Sequence, residues 1–186
     1  MKKELSKQVL FIQGAGDVGY EGDEKLVASL RTALGTDYNV HYPEMSTDEV
    51  PYFGSGWTKQ IGKEISKIKG ELVLVGHSLG ASMLLKYLSE NKIEKNIAGI
   101  FLISTPFWRG NEDWVKPLKL HENFSDKLPK NIPTFFYQSK DDDVVLFEQF
   151  KIYKQNITWA IFREFSNGGH QLNNDLTSVA NDIQSL

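Results

Sequence analysis

The sequence predicts an α/β fold in which a mostly parallel sheet carries helices on both faces. Short apolar runs alternate with amphipathic segments along the 186-residue chain. The runs are apolar on both sides, which is typical of parallel strands covered by helices on both faces. Glycine-rich and polar stretches follow directly after several of these runs, at the strand ends where catalytic loops of such sheets lie.

The apolar runs predict about six strands, and the segments between them predict helices. Trp57, Ile61, Ile65 and Ile68 are spaced four, four and three residues apart, which indicates one face of a helix. We expect strands at residues 9–12, 38–42, 72–75, 97–103, 134–138 and 159–165. We expect helices at residues 23–34, 57–68, 79–89, 147–153 and 175–183.

Length and composition predict one soluble domain over residues 1–186. The formal net charge is −3, and no basic stripe indicates a nucleic-acid partner. The absence of cysteine excludes disulfides, thiolate chemistry and cysteine-bound zinc. The first apolar run is too short for a signal-peptide core, and no segment is long enough to cross a membrane. We therefore expect a cytoplasmic protein without a membrane partner.

Residues 73–81 predict a nucleophile elbow. An apolar run ends in Gly-His-Ser-Leu-Gly at residues 76–80, and a helix-forming segment follows. This is the G-x-S-x-G pattern in the strand–turn–helix context that an elbow requires. Ser78 is therefore the candidate nucleophile, next to a helix N-terminus whose partial positive charge favours a developing oxyanion.

A serine nucleophile needs a base, and the base needs an acid that orients it. Among the four histidines, His170 follows the last predicted strand in a glycine-containing loop, where it can reach Ser78. We expect His77 to point away from the reacting atom, and we interpret His41 and His121 as packing or surface residues.

The acid is expected between the serine and the histidine in the chain. Asp141, Asp142 and Asp143 follow the strand predicted at residues 134–138. The stretch lacks the central glycine of an EF-hand, so it does not indicate a calcium site. A solvated turn is the other interpretation, and the residues alone leave the choice among the aspartates open.

The stretch from Gly14 to Gly19 supports two interpretations. It fits the dinucleotide fingerprint G-x-G-x-x-G after a strand, and Glu44 follows the second strand. However, Gly22 disfavours a helix that starts within the motif, and Glu44 lies farther on than the usual ~20 residues. In the other interpretation this loop is half of an oxyanion hole, with the backbone N–H groups of Ala15 and Leu79 directed at one oxygen.

These motifs together resemble the α/β-hydrolase superfamily, and within it the small serine hydrolases without a cap domain that include the retinoblastoma-binding serine hydrolase and its bacterial relatives. The resemblance covers essentially the whole chain. It implies the α/β-hydrolase fold without a cap. The acid loop of that family commonly reads Asp-Asp-Pro-Val-Val with the second aspartate catalytic, which implies Asp142 as the acid, with Asp141 as the fallback. Asp143 then stands at the proline position.

Gln13 stands where many members of that family have histidine before the oxyanion glycine. We expect this difference to alter the hydrogen bonding of the loop without removing the backbone donor of Ala15.

The resemblance implies a carboxylesterase-like serine hydrolase that cleaves small ester or related acyl substrates. Ser78, His170 and Asp142 would form the triad of an acyl-enzyme mechanism that needs no metal and no organic cofactor. The partner is then a small-molecule acyl substrate, and a protein partner is not indicated. The alternatives are a non-catalytic binding protein on a hydrolase scaffold and an NAD-linked oxidoreductase that uses residues 14–19.

Residues 104–133 lie where a cap domain would be inserted, but they are too few to form one. Phe107, Trp108 and Trp114 can wall an open substrate pocket there, and Arg109 is interpreted as a surface residue. Further aromatic residues could contribute from the loop before and the start of the second helix: Tyr52, Phe53 and Trp57. A place in the core is the competing interpretation for each of them. A shallow site without a cap favours short-chain acyl groups.

Overall fold

The computed structural model describes residues 7–16, 19–46 and 54–186. Within these residues, six strands form one sheet in the order β2–β1–β3–β4–β5–β6, and all neighbouring strands are parallel. The predicted parallel, doubly wound sheet is therefore confirmed. The strands are β1 (Lys7–Ile12), β2 (Tyr38–His41), β3 (Leu72–His77), β4 (Ile97–Ile103), β5 (Thr134–Ser139) and β6 (Ile161–Phe165).

Six α-helices accompany the sheet in the described part of the chain. The connection between β4 and β5 holds a 3₁₀ turn (Lys116–Leu118) and a one-turn helix in place of a cap domain. A second 3₁₀ turn (Leu172–Asn174) follows β6. The helices are α1 (Gly19–Leu34), α2 (Trp57–Lys67), α3 (Leu79–Glu90), α4 (Phe124–Lys127), α5 (Phe147–Asn156) and α6 (Thr177–Gln184).

Alternate residues of the central strands supply two hydrophobic cores, one on each face of the sheet. Leu72 and Leu74 of β3 face the core shared with α2, α3, α4 and α5. Val73 and Val75 face the core shared with α1 and α6. This alternation explains why the strands are apolar on both sides, since each face is covered by helices.

Several predicted element boundaries differ from the observed ones by one to four residues, and two of these differences have an identifiable cause. Helix α1 begins at Gly19 rather than at residue 23, so it includes Gly22. A glycine inside a helix costs only about 1 kcal/mol relative to alanine, less than the packing of the apolar face of α1 can supply. Strand β6 begins at Ile161 rather than at residue 159, because the preceding residues form a turn in which Ala160 N–H donates to the Ile157 carbonyl.

The two glycines of the elbow allow β1, β3 and α3 to approach one another closely. A Cβ atom on Gly76 would lie 2.7 Å from Ala81 Cα, and one on Gly80 would overlap the carbonyl oxygens of Ile12 and Gln13. Both neighbours are backbone atoms, so a rotamer change cannot relieve either clash. The elbow therefore packs closely against both α3 and the end of β1.

We expect Gly80→Ala to lower the free energy of unfolding by about 3 kcal/mol or more, because the added methyl group overlaps backbone oxygens at the end of β1. Urea unfolding followed by circular dichroism measures the change. Gly56→Ala is the matched control, since a Cβ atom at Gly56 meets no atom within 4 Å among those described. Equal stability of the two variants would contradict the close packing of the elbow.

Candidate active site

The candidate residues lie in loops that follow β1, β3, β5 and β6. Because the sheet is entirely parallel, these loops meet at its carboxyl edge. The first loop contains Ala15, the second Ser78, the third Asp142 and the fourth His170. Residues far apart in the chain are thereby brought within hydrogen-bond distance of one another.

Ser78 lies in the left-handed region of backbone conformation, with φ 51° and ψ −123°. Such a conformation is strained for a residue with a side chain and is typical of a nucleophile elbow. It is held by two hydrogen bonds, from Ser78 N–H to the Ile103 carbonyl (2.9 Å) and from Ser82 N–H to the Ser78 carbonyl (3.2 Å). The turn leaves the Ser78 hydroxyl 3.0 Å from His170 Nε2.

His170 connects Ser78 to Asp142. Its Nδ1 atom lies 2.9 Å from Asp142 Oδ2 and 3.2 Å from Oδ1. A hydrogen on Nδ1 leaves Nε2 free to accept the proton of the Ser78 hydroxyl. The arrangement therefore has the order and the donor–acceptor pattern of a serine, a base and an orienting carboxylate.

The Asp142 carboxylate is buried and fully hydrogen-bonded. Its Oδ1 atom accepts the backbone N–H groups of Val144 and Val145, both at 2.9 Å, and its Oδ2 atom accepts Gln138 Nε2 at 2.8 Å. Burial raises the pKa of Asp142, but the hydrogen bonds from His170 and from these backbone groups outweigh it. The pKa of Asp142 consequently lies below its ordinary value, and the group is a carboxylate at neutral pH.

The two neighbouring aspartates have different surroundings. Asp141 accepts hydrogen bonds from Ser139 Oγ (2.5 Å) and from the N–H groups of Gly169 (2.9 Å) and Gly168 (3.3 Å). It thus binds the loop that carries His170, whereas only Asp142 contacts the imidazole. Asp143 is exposed.

The predicted oxyanion donors, Ala15 and Leu79, border the same cavity as the Ser78 side chain. Leu79 is the first residue of α3, so its N–H group has no intrahelical partner. Within the described ranges, Ala15 N–H makes no hydrogen bond to another backbone group. The Gln13 side chain takes part in the hydrogen bonding around this loop, since its Oε1 atom accepts Met45 N–H at 2.9 Å.

The same loop does not have the character of a dinucleotide phosphate site. Gly14 N–H donates to Asp23 Oδ2 at 2.7 Å, so a carboxylate occupies the backbone donor that a pyrophosphate would need. Because α1 begins at Gly19 and includes Gly22, Gly22 is no longer an argument against dinucleotide binding. The negative charge of Asp23 next to the loop is a new argument against it. Asp17 and Val18 lie outside the described residues.

A cavity of about 1090 Å³ opens beside Ser78 and His170. The aromatic residues predicted for a substrate pocket, Phe107, Trp108 and Trp114, all line it. Its volume exceeds what a short-chain acyl group needs, so the expectation of short chains finds no support in the cavity. Apolar residues that the sequence reasoning did not select complete the wall: Val115, Leu118, Val144, Val145 and Ile152.

The pocket aromatics also differ in burial. Phe107 and Trp108 are half-buried against the core, and Trp108 Nε1 donates to Ser82 Oγ at 3.0 Å. Trp114 is 51% exposed and packs edge-on against Trp108. Arg109 is exposed, and its guanidinium lies over the Phe107 ring. Trp57 is buried in the core, while Tyr52 and Phe53 lie outside the described residues.

Sequence reasoning missed a second histidine–carboxylate pair behind the site. His77 Nδ1 lies 2.8 Å from Asp23 Oδ2, and both side chains are almost completely buried. One signal for Asp23 was available, because it shares the apolar face of α1 with Leu26, Val27 and Leu30. A carboxylate on such a face needs a buried partner, but no pattern links it to a histidine in a distant strand.

In the residues that the structure describes, no group of histidine and carboxylate side chains could hold a metal ion. The helices of the same residues include none with the length and apolarity needed to cross a bilayer.

Comparison with solved structures identifies proteins of the same fold. The ydeN gene product from B. subtilis is 23% identical, with 97% of this chain and 98% of that chain covered and a TM-score of 0.68. A lipase-esterase related protein from Clostridium acetobutylicum is 19% identical (100% and 96% covered, TM-score 0.65). Acyl-protein thioesterase 2 from Zea mays is 13% identical (99% and 95% covered, TM-score 0.71). At these identities the likeness establishes the fold.

Comparison with curated protein sequences gives no match. A sequence model of the serine hydrolase family, in contrast, matches residues 27–177, which include the elbow, the acid loop and the His170 loop. The match and the shared fold confirm the resemblance to the α/β-hydrolase superfamily. The chain belongs to the serine hydrolase family.

Proposed function

We propose that the protein is a carboxylesterase-like serine hydrolase, in which Ser78 is the nucleophile, His170 the general base and Asp142 the acid that orients His170. The observation that carries the proposal is the continuous hydrogen-bonded chain from Ser78 Oγ through both nitrogens of His170 to a buried carboxylate. Membership of the serine hydrolase family supports the same reaction class.

In the first half of the reaction, His170 Nε2 takes the proton of the Ser78 hydroxyl as Oγ attacks the carbonyl carbon of an ester. The imidazolium that forms is stabilised by the Asp142 carboxylate. Collapse of the tetrahedral intermediate breaks the bond to the alcohol, which leaves with the proton from His170. The acyl group remains on Ser78.

In the second half, water attacks the acyl carbon and His170 again accepts a proton. The carboxylic acid is released when the bond to Ser78 Oγ breaks and the proton returns to the serine. The N–H groups of Ala15 and Leu79 would stabilise the oxyanion of both tetrahedral intermediates, typically by ~3 kcal/mol for each donor. All the proton transfers use side chains of the protein itself.

The cavity favours substrates with a bulky apolar group next to the reacting carbonyl. Its wall is largely aliphatic and aromatic, and its volume of about 1090 Å³ is sufficient for a medium-length acyl chain or an aromatic ring. We therefore extend the substrate class from short-chain esters to small esters with apolar acyl groups of several carbons.

We expect the parent protein to gain one adduct of a fluorophosphonate probe, and Ser78→Ala to gain none, because only an activated serine attacks the phosphorus. Intact-protein mass spectrometry measures the adduct. Ser66→Ala is the control, since Ser66 is an exposed residue of α2. Absence of labelling on folded parent protein would favour the non-catalytic binding alternative.

We expect Asp142→Asn to lower kcat for a p-nitrophenyl ester by about 10³- to 10⁴-fold, because the neutral amide neither fixes the His170 tautomer nor stabilises the imidazolium. Asp143→Asn, at the exposed neighbouring position, should leave kcat unchanged. Asp141→Asn should have an intermediate effect, because Asp141 contacts the His170 loop through backbone N–H groups and does not contact the imidazole. A larger loss in Asp141→Asn than in Asp142→Asn would contradict the assignment of the acid.

We expect kcat/KM to rise from p-nitrophenyl acetate to butyrate and octanoate, by up to about fourfold for each fully buried methylene. Trp114→Ala should flatten this dependence, because it removes an exposed wall of the cavity. Trp159→Ala is the matched control, since the half-buried Trp159 packs outside the cavity. A preference for acetate in the parent would contradict the proposed substrate class.

A further inference from the structure

A buried network of charged and polar groups lies directly behind the proposed catalytic residues. Its centre is the pair formed by Asp23 on α1 and His77 at the end of β3, whose side chains are 2% and 1% exposed. The rings of His77 and His170 are close, with centroids 4.8 Å apart. Neither Asp23 nor His77 takes part in the proton transfers proposed above, so a different role has to explain the burial of these two polar side chains.

The Asp23 carboxylate joins three of the loops that form the site. Its Oδ2 atom accepts Gly14 N–H from the oxyanion loop (2.7 Å) and faces His77 of the elbow strand. Its Oδ1 atom accepts Gln171 Nε2 (3.2 Å), next to His170 in the chain. One buried carboxylate is therefore bonded to the residue before Ala15, the residue before Ser78 and the residue after His170.

Both ring nitrogens of His77 face acceptors. The Nδ1 atom faces the Asp23 carboxylate, and the Nε2 atom lies 3.1 Å from the backbone carbonyl oxygen of His170. A carbonyl oxygen only accepts, so Nε2 carries hydrogen. Burial raises the pKa of Asp23, but the hydrogen bond and charge of His77 and the Gly14 N–H outweigh it and lower that pKa. Asp23 is therefore a carboxylate that accepts these hydrogen bonds.

The backbone carbonyl of His170 receives a second buried donor. Ser104 Oγ lies 2.9 Å from the same oxygen, and Ser104 is completely buried. Like Ser78, Ser104 has a positive φ, here 48°, and it lies directly after β4. His77 and Ser104 thus hold one carbonyl oxygen from two neighbouring strands.

We propose that Asp23 and His77 are positioning residues for the reaction. In this proposal, which rests on the proposed function, His77 Nε2 donates a hydrogen bond to the His170 carbonyl and Asp23 accepts Gly14 N–H. It thereby fixes the general base and the oxyanion loop relative to Ser78. Neither residue touches the substrate.

The His170 loop needs contacts from outside to fix the position of its histidine. His170 follows Gly168 and Gly169, both with positive φ, so its own sequence does not fix its position. A displacement of a catalytic group by about 1 Å can reduce the rate about 100-fold. A buried hydrogen bond to the His170 backbone restricts such a displacement more strongly than an exposed contact would.

The test compares two double variants that both remove the Asp23 carboxylate and the His77 ring. Asp23→Asn/His77→Gln keeps an oxygen for Gly14 N–H and a terminal amide donor for the His170 carbonyl. Asp23→Asn/His77→Leu keeps the oxygen and the approximate volume but lacks that donor. We expect kcat in the leucine variant to fall about 10- to 100-fold with little change in KM, and kcat in the glutamine variant to recover most of this loss. His41→Gln, on the edge strand β2, is the control for a histidine outside the network.

Equal kcat in the two double variants would overturn the positioning role, as would a change confined to KM. Nitrogen-15 NMR of the histidine rings in the parent tests the geometry even if a variant fails to fold. We expect a hydrogen on His77 Nε2, bonded to the His170 carbonyl, and an Nε2 atom without hydrogen would overturn the proposal. Failure of the proposed function itself is separate, because it would appear as unlabelled Ser78 in the parent.

Discussion

The close contact of the elbow with the end of β1 is the constraint on which the site depends. Gly80 lies against the carbonyl oxygens of Ile12 and Gln13, and Gly76 lies against α3. These contacts fix Ser78 in its positive-φ conformation and at the same time place the loop after β1 beside it. Ser78, the proposed nucleophile, and Ala15, the proposed oxyanion donor, are therefore positioned by one packing arrangement, which tolerates no additional side-chain atom at either glycine.

Parallel pairing brings the other groups to this elbow. The loops after β4, β5 and β6 contribute Ser104, Asp142 and His170 at the same edge of the sheet. The acid loop is then organised by its own hydrogen bonds, in which Val144 and Val145 donate to the Asp142 carboxylate. The His170 loop has a short backbone hydrogen bond of its own, from Asn173 N–H to the Gly168 carbonyl (2.8 Å), and it is further held by contacts with Asp141 and with the buried network.

The sequence predicted the sheet, its helices and the elbow because these depend on local patterns. Apolar runs, helical spacing and the G-x-S-x-G motif are each contained within a short stretch of chain. The start of α1 was missed because Gly22 gives a local signal that packing overrides. The Asp23–His77 contact joins residues 54 positions apart, and no local pattern encodes such a pair. The choice of Asp142 likewise needed a family resemblance, since three adjacent aspartates look alike in sequence.

The two histidine–aspartate pairs contain the same groups and differ in the hydrogen-bond partner of the second histidine nitrogen. In each pair the histidine Nδ1 atom faces a buried carboxylate. The Nε2 atom of His77 is engaged by a backbone carbonyl, so its hydrogen cannot be exchanged with a substrate. The Nε2 atom of His170 faces the Ser78 hydroxyl beside the cavity, so a proton can be transferred between Ser78 Oγ and His170 Nε2. The partner of the second nitrogen therefore distinguishes the proposed positioning residue His77 from the proposed general base His170.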